Sequence, residues 1–169
     1  MDAETINSDY ESRPPTIKDL LSLCKWLNEK NAKYIVIGGM AIIQAGLVRA
    51  TKDIDILIES SLENQKKVKE AFLNLPDQAI KELGDEDLKE YTVVRVADEI
   101  LVDILVSATG ISFKEAEKDI EYVTIENIEI PLANIDLLYK MKNTFREEDK
   151  IDRLFLEMKI RNRGKYKTT

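Results

Sequence analysis

The chain contains no histidine. That excludes imidazole as a nucleophile activator and as a zinc ligand, and leaves acid–base work to carboxylates. Its single cysteine, Cys24, forms no internal disulfide, and a cytoplasmic setting is expected. Cys24 lies in an apolar helical pattern, so it is read as a packing residue rather than a reactive one. No apolar run approaches the roughly 20 residues that a membrane helix needs, so no membrane partner is expected. The first twelve residues are acidic and polar, unlike a secretory signal. Basic residues are outnumbered, 25 Lys and Arg against 32 Asp and Glu, for a net charge of -7. Such a balance disfavours nonspecific binding to long nucleic acids. The exception is a basic tail of Lys159, Arg161, Arg163, Lys165 and Lys167. It is either a solvated helix end that suits the macrodipole or a contact for RNA or another polyanion.

What is present fits a globular domain. Of 169 residues, 44% are hydrophobic and 34% charged, enough to bury a core under a charged surface. There is no repeat and no clear linker. Residues 1–15 are expected to be a flexible segment, and 16–169 a single domain with C-terminal helices over about 133–163. Thr16 is placed as the N-cap of a helix whose stripe is Leu20, Leu21, Leu23, Cys24, Trp26 and Leu27; Trp26 is read as packing. Helices are also expected from Leu62 to about Asn74, after Ser112 with Glu115 in a capping box, from Ala133-Asn134 through Met141, and over about Glu147 to Arg161. The last is expected to turn Ile151, Leu154, Phe155, Met158 and Ile160 inward. Tyr91–Val96 and Ile100–Val106 read as a hairpin, and Glu121–Ile125 and Ile128–Pro131 as two further strands. The charged stretch 77–89 reads as a short helix plus a loop over the site. The sheet is expected to be mixed, with about four or five strands.

The chemistry concentrates around one stretch. Tyr34-Ile35-Val36-Ile37 reads as a buried strand that breaks at Gly38-Gly39, continues as a short apolar helix, and returns through Arg49-Ala50-Thr51-Lys52 to the strand Asp53-Ile54-Asp55-Ile56-Leu57-Ile58. Strand side chains alternate, so Asp53 and Asp55 share one face while Ile54, Ile56 and Ile58 point into a core. Adjacent carboxylates repel unless a cation lies between them, and hard cations such as Mg²⁺ favour all-oxygen sites completed by substrate phosphates. A third carboxylate, Asp103, interrupts the apolar run Ile100 to Val106. A lone buried charge is costly, and a neighbouring strand bearing Asp53 and Asp55 would account for it. The three should then converge within roughly 4 to 6 Å, as metal-bridging groups do.

This pattern resembles the DNA polymerase beta-like nucleotidyltransferases. Ile37-Gly38-Gly39-Met40-Ala41 followed by Arg49-Ala50-Thr51-Lys52-Asp53-Ile54-Asp55 is similar to the small branch of AbiEii-type toxins and minimal nucleotidyltransferases. Asp136-Leu137-Leu138-Tyr139-Lys140-Met141-Lys142, with Arg146 and Asp149-Lys150-Ile151-Asp152, resembles that branch's closing helical motif. The likeness spans Tyr34 to Leu156. It implies an α+β fold: a mixed β-sheet nucleotidyltransferase core, helices mainly on one face, and a C-terminal helical pair closing the cleft. It implies transfer of a nucleoside monophosphate from an NTP such as ATP to an acceptor hydroxyl, with pyrophosphate released. Asp53, Asp55 and Asp103 would be catalytic and hold Mg²⁺ or Mn²⁺, and Gly38, Gly39, Arg49, Lys52 and Lys142 would bind nucleotide. Arg49 and Lys52 either bind phosphate or neutralise the carboxylates. Asp149 and Asp152 either pair with Arg146 and Lys150 or support the site from behind. Many members carry Gly-Ser where this chain has Gly38-Gly39, which removes a hydroxyl able to contact phosphate. The acceptor is RNA, a protein hydroxyl or a small molecule, and a toxin-like member would have an antitoxin-like partner protein. The alternative is a non-catalytic member that binds a nucleotide or a partner protein.

Overall fold

A computed structural model describes residues 4–7 and 11–165. In chain order the elements are β1 (Glu4–Asn7), α1 (Ile17–Glu29), β2 (Tyr34–Ile37), α2 (Gly38–Gln44), β3 (Asp53–Ile58), α3 (Leu62–Phe72), α4 (Asp87–Glu90), β4 (Val93–Ala97), β5 (Leu101–Leu105), β6 (Ser107–Ala108), β7 (Ile111–Ser112), α5 (Phe113–Ala116), β8 (Ile120–Ile125), β9 (Ile128–Ala133), α6 (Ile135–Lys142) and α7 (Lys150–Arg161). The fold is α+β. Seven strands form one mixed sheet in the order β1-β4-β5-β3-β2-β9-β8, and β6 and β7 form a separate hairpin. The C-terminal helical pair is α6 and α7, which pack on each other.

The sheet is wider than the four or five strands expected. β8 and β9 extend it beyond β2. At the other edge, β1 lies parallel to β4 within the stretch read as flexible, and Ile6 is buried there. Arg13 also bridges to Ile100.

The centre follows from alternation. β2 pairs antiparallel with β3, and β3 parallel with β5. Ile54, Ile56, Val102 and Ile104 are fully buried on one face, joined by Val94 and Val96. Asp53, Asp55 and Asp103 occupy the opposite face of the same strands. α1 contacts both α3 and β9. Local signals account for the helix starts. The Thr16 backbone N–H donates to Asp19 Oδ2 at 2.7 Å, and Asn134 accepts from the Leu137 N–H at 2.9 Å. Ser112 accepts from the Glu115 N–H, and its hydroxyl donates to Glu115 Oε1 at 3.0 Å, so the N-cap half of the expected capping box forms while the Glu115 side chain bonds the hydroxyl rather than the backbone N–H. Cys24 is fully buried, and burial pushes its thiol up to about 11. Trp26 is half-buried against the core.

Two expectations are corrected. The segment 77–89 is not a cover over the site: Ala79, Ile80, Leu83 and Leu88 are buried in the core, and none of the segment lines the cavity described below. In α7 the buried positions are Asp152 and Leu156, whereas Ile151, Leu154 and Met158 are exposed. Among the described residues, no helix is long and apolar enough to cross a membrane.

Candidate metal and nucleotide site

Strand register brings the carboxylates together. Asp55 is the direct neighbour of Asp103 across the β3–β5 pair, and Asp53 lies two residues back on the same face. One oxygen from each of the three lies within 4.8 Å of the others, inside the range expected from the sequence. The donor set is all oxygen, carried by rigid strands, and suits a hard divalent cation.

Gly38 makes the close approach possible. Its φ is +67°, and a Cβ there would lie 2.0 Å from Asp55 Oδ2. Only glycine adopts that conformation freely and leaves that space open. Gly39 is also crowded: a Cβ would lie 2.6 Å from Thr51 Oγ1 and 2.9 Å from Arg49 Nη2. Those two side chains occupy the space beside the position where many nucleotidyltransferases have serine. Thr51 Oγ1 donates to the Asp53 carbonyl at 3.2 Å, which shapes the start of β3.

The carboxylates are electrostatically crowded. Burial, then the neighbouring charges of Asp53 and Asp103 and a hydrogen bond to Asp103, hold the Asp55 carboxyl well above its ordinary range. Asp53 is also raised, by burial and by Asp103, against the opposing pull of Arg95, Lys142 and Arg49. Arg95 is the residue that sequence reasoning missed. It faces Asp103 across the β4–β5 pair. Its Nε donates to Asp103 Oδ1 at 2.8 Å, and its Nη2 donates to Asp103 Oδ2 and to Asp53 Oδ2, each at 2.9 Å. The guanidinium thus joins two of the three carboxylates.

A second polar cluster is built around Asp149 and Asp152. Asp149 accepts from Lys142 Nζ at 2.9 Å, Thr144 Oγ1 at 2.5 Å and Arg146 Nε at 2.8 Å. Burial pushes its carboxyl up, but these bonds outweigh that and hold it at about 2. Asp152 accepts from Arg49 Nη2 at 3.0 Å and lies 3.4 Å from Lys142 Nζ. Of the two roles left open for these aspartates, pairing with Arg146 holds for Asp149. Lys150 is not among their ion-pair partners; Lys142 and Arg49 are.

All eight residues singled out in the sequence line one cavity of about 1040 Å³: Gly38, Gly39, Arg49, Lys52, Asp53, Asp55, Asp103 and Lys142. Arg95, Arg146, Glu148, Asp149 and Asp152 line it too. Lys140, two positions from Lys142, does not. In the basic tail, Arg163 pairs with Asp136 at 3.0 Å, while Lys167 lies outside the described residues.

No family model matches the chain, and no curated protein matches it. Among solved structures it is similar to a Thermotoga maritima protein named as a candidate nucleotidyltransferase, at 15% sequence identity and a TM-score of 0.52. The match covers 91% of this chain and 95% of that one. At that identity the likeness establishes a shared fold, so the chain has a nucleotidyltransferase-like fold.

Proposed function

We propose that the protein is a metal-dependent nucleotidyltransferase that moves a nucleoside monophosphate from an NTP to an acceptor hydroxyl. The observation that carries this reading is the convergence of Asp53, Asp55 and Asp103 in one cavity of a nucleotidyltransferase-like fold. Asp53 and Asp55 would hold a divalent cation, Mg²⁺ or Mn²⁺, and Asp103 would share in holding a second and take up the proton of the acceptor hydroxyl. When bound, such cations neutralise phosphate charge and favour the oxyanion of the acceptor. Lys142 and Arg49, steadied by Asp149 and Asp152, supply fixed positive charge for the triphosphate, and exposed Lys52 supplies a mobile one. Gly38 and Gly39 let the backbone come close to the phosphates. The acceptor oxygen forms a bond to the α-phosphorus, the bond from that phosphorus to the bridging oxygen breaks, and pyrophosphate leaves. Phosphoryl chemistry of this kind needs positioning and charge neutralisation more than a reactive side chain, which suits a chain without histidine. The finer assignment, a toxin-like enzyme of the AbiEii branch with an antitoxin-like partner, rests on the sequence motifs.

A non-catalytic nucleotide-binding role is the second reading, and Arg95 favours it by tying up Asp53 and Asp103. The test is to incubate the protein with each α-labelled NTP, Mg²⁺ or Mn²⁺, and RNA or cell lysate. Label transferred to an acceptor, with pyrophosphate released and both lost in Asp53→Asn, supports the enzyme. Metal-dependent NTP binding without transfer supports the second reading, and the absence of both transfer and binding would sink both.

A further inference from the structure

We infer that the acceptor hydroxyl belongs to an uncharged, partly apolar alcohol rather than to RNA. Its carrier is a polypeptide side chain or a free small molecule, and Val93, Leu105 and Ser107 form the floor on which it lies. The inference rests on the nucleotidyltransferase reading, in which Asp103 takes up the acceptor proton, so that the acceptor lies beside Asp103 on β5. The register defines what surrounds it there. Arg95 pairs with Asp103 across β4 and β5, and the next pair on that face, about 7 Å along the strands, is Val93 with Leu105. Ser107 follows Leu105 by two residues and lines the cavity with both. All three are half-buried, so each presents surface to the cavity. At about 1040 Å³ the cavity is at the upper end for one small ligand, which leaves room for an acceptor beside the nucleotide.

The charges of the cavity separate by element. Four of its cations, Arg49, Lys52, Lys142 and Arg146, come from the approach to β3, from α6 and from the segment after α6. The wall built by β4, β5 and the β6–β7 hairpin supplies one cation, Arg95, whose three side-chain bonds all go to Asp103 and Asp53. Its other lining side chains beyond Asp103, Thr92, Val93, Leu105, Ser107, Ala108 and Thr109, are uncharged. A phosphodiester chain laid on this wall would bury charge against Val93 and Leu105 with no free cation to receive it, which is costly. The segment leading into β4 adds repulsion. Asp85, Glu86 and Glu90 are exposed there, and the lysine among them, Lys89, pairs with Glu86 at 2.8 Å. Nucleic acids draw much of their affinity from phosphate contacts, and this wall offers none. An uncharged alcohol needs only apolar contact and a few polar groups to orient it. Val93 and Leu105 supply the first, the Ser107 hydroxyl and Asp103 the second.

The experiment supplies the full chain with saturating α-labelled NTP, Mn²⁺ and cell lysate. The lysate is used untreated, pretreated with ribonuclease, pretreated with protease, or passed through a filter that retains macromolecules. Label transfer should survive ribonuclease. It should also change little between about 50 and 200 mM salt, where an RNA making three phosphate contacts would lose roughly 20-fold. Loss on protease treatment assigns the alcohol to a polypeptide, and transfer with the filtrate alone assigns it to a small molecule; either supports the proposal. Leu105→Lys puts a charge on the floor and should raise the lysate needed for half-maximal rate by roughly tenfold, the scale of one lost apolar contact. The affinity for Mn²⁺ with a non-hydrolysable NTP, read by calorimetry, should not change. Ser107→Lys serves as the second variant if circular dichroism shows Leu105→Lys to be poorly folded. Transfer that ribonuclease abolishes would overturn the proposal and leave the nucleotidyltransferase reading standing. So would a folded lysine variant whose acceptor requirement is unchanged or lowered, as added positive charge would lower it for RNA. Absence of transfer in every arm would instead overturn the catalytic reading, and this proposal with it.

Discussion

Gly38→Ala tests whether the backbone at the strand–helix junction is what allows Asp55 to sit where it does. Two costs are separable. Placing alanine at φ +67° costs about 1–2 kcal/mol from left-handed strain. The new Cβ also lands 2.0 Å from Asp55 Oδ2, 2.9 Å from its Cγ and 3.1 Å from its Cβ. Rotating the carboxylate away relieves the first two contacts but not the third, because β3 is pinned between β2 and β5. Overpacking of that kind adds about 1–3 kcal/mol. Gly110→Ala is the reference. Gly110 has φ +79° in the β6–β7 turn, and a Cβ there meets nothing within 4 Å. It carries the strain without the clash, and the loss of unfolded-state freedom is common to both variants. Urea unfolding should therefore give about 2–5 kcal/mol for Gly38→Ala and about 1–2 kcal/mol for Gly110→Ala. Mn²⁺ binding should weaken only in the former, because only there is Asp55 displaced. Equal destabilisation by the two substitutions would refute the reasoning.

Three further outcomes follow from the site. Asp55 is raised in the fold, so its contribution to stability is full below its unfolded pKa and is lost as pH rises through the folded value; Asp55→Asn should be the more stable protein at pH 7 without metal and should converge on wild type in acid, as thermal melts across pH will show. Asp149 is held near 2 against an ordinary 3.8, so Asp149→Asn should cost about 2 kcal/mol at pH 7, a gap that narrows as pH falls below the unfolded value; a pH-independent gap would count against it. Arg95→Met removes three charge-assisted bonds and should destabilise the metal-free protein by about 2 kcal/mol while tightening Mn²⁺ binding, because no internal cation then competes for Asp53 and Asp103; a titration followed by calorimetry that shows unchanged affinity would rule this out.

The carboxylate cluster was legible because period-two alternation is a short-range rule. Asp53 and Asp55 needed only a strand, and Asp103 announced itself by interrupting an apolar run. Arg95 was hidden by register. Reading Ala97-Asp98-Glu99 as the turn starts β5 at Ile100 and sets Arg95 opposite Leu101. In the structure Asp98 N–H donates to the Ile100 carbonyl, which draws Ile100 into the turn and slides the pairing by two residues. Arg95 keeps its face but gains Asp103 as its neighbour. Asp98 itself is buried, accepting from the backbone of Asp77, Ala79 and Glu99, a long-range role that its place in a turn does not signal. β1 has one buried apolar side chain, Ile6, which is too little pattern to mark a strand.

α7 was misread for a different reason, and the reason bears on what the helix does. Hydrophobic periodicity assigns the apolar stripe to the interior by default. Here the inward face carries Asp152, one turn before Leu156. Asp152 is 3% exposed yet satisfied, because Arg49 and Lys142 reach it, and a buried carboxylate with two cationic partners escapes the cost of an isolated one. Turning the helix to bury Ile151 and Leu154 would pull Asp152 off those cations, leaving Arg49 without its ion-pair partner and Lys142 with Asp149 alone. The polar demand of the cavity therefore fixes the rotation of α7, and the apolar stripe is left facing outward as a consequence. Steadying Arg49 and Lys142 and leaving Ile151, Leu154 and Met158 exposed are therefore two results of one rotation.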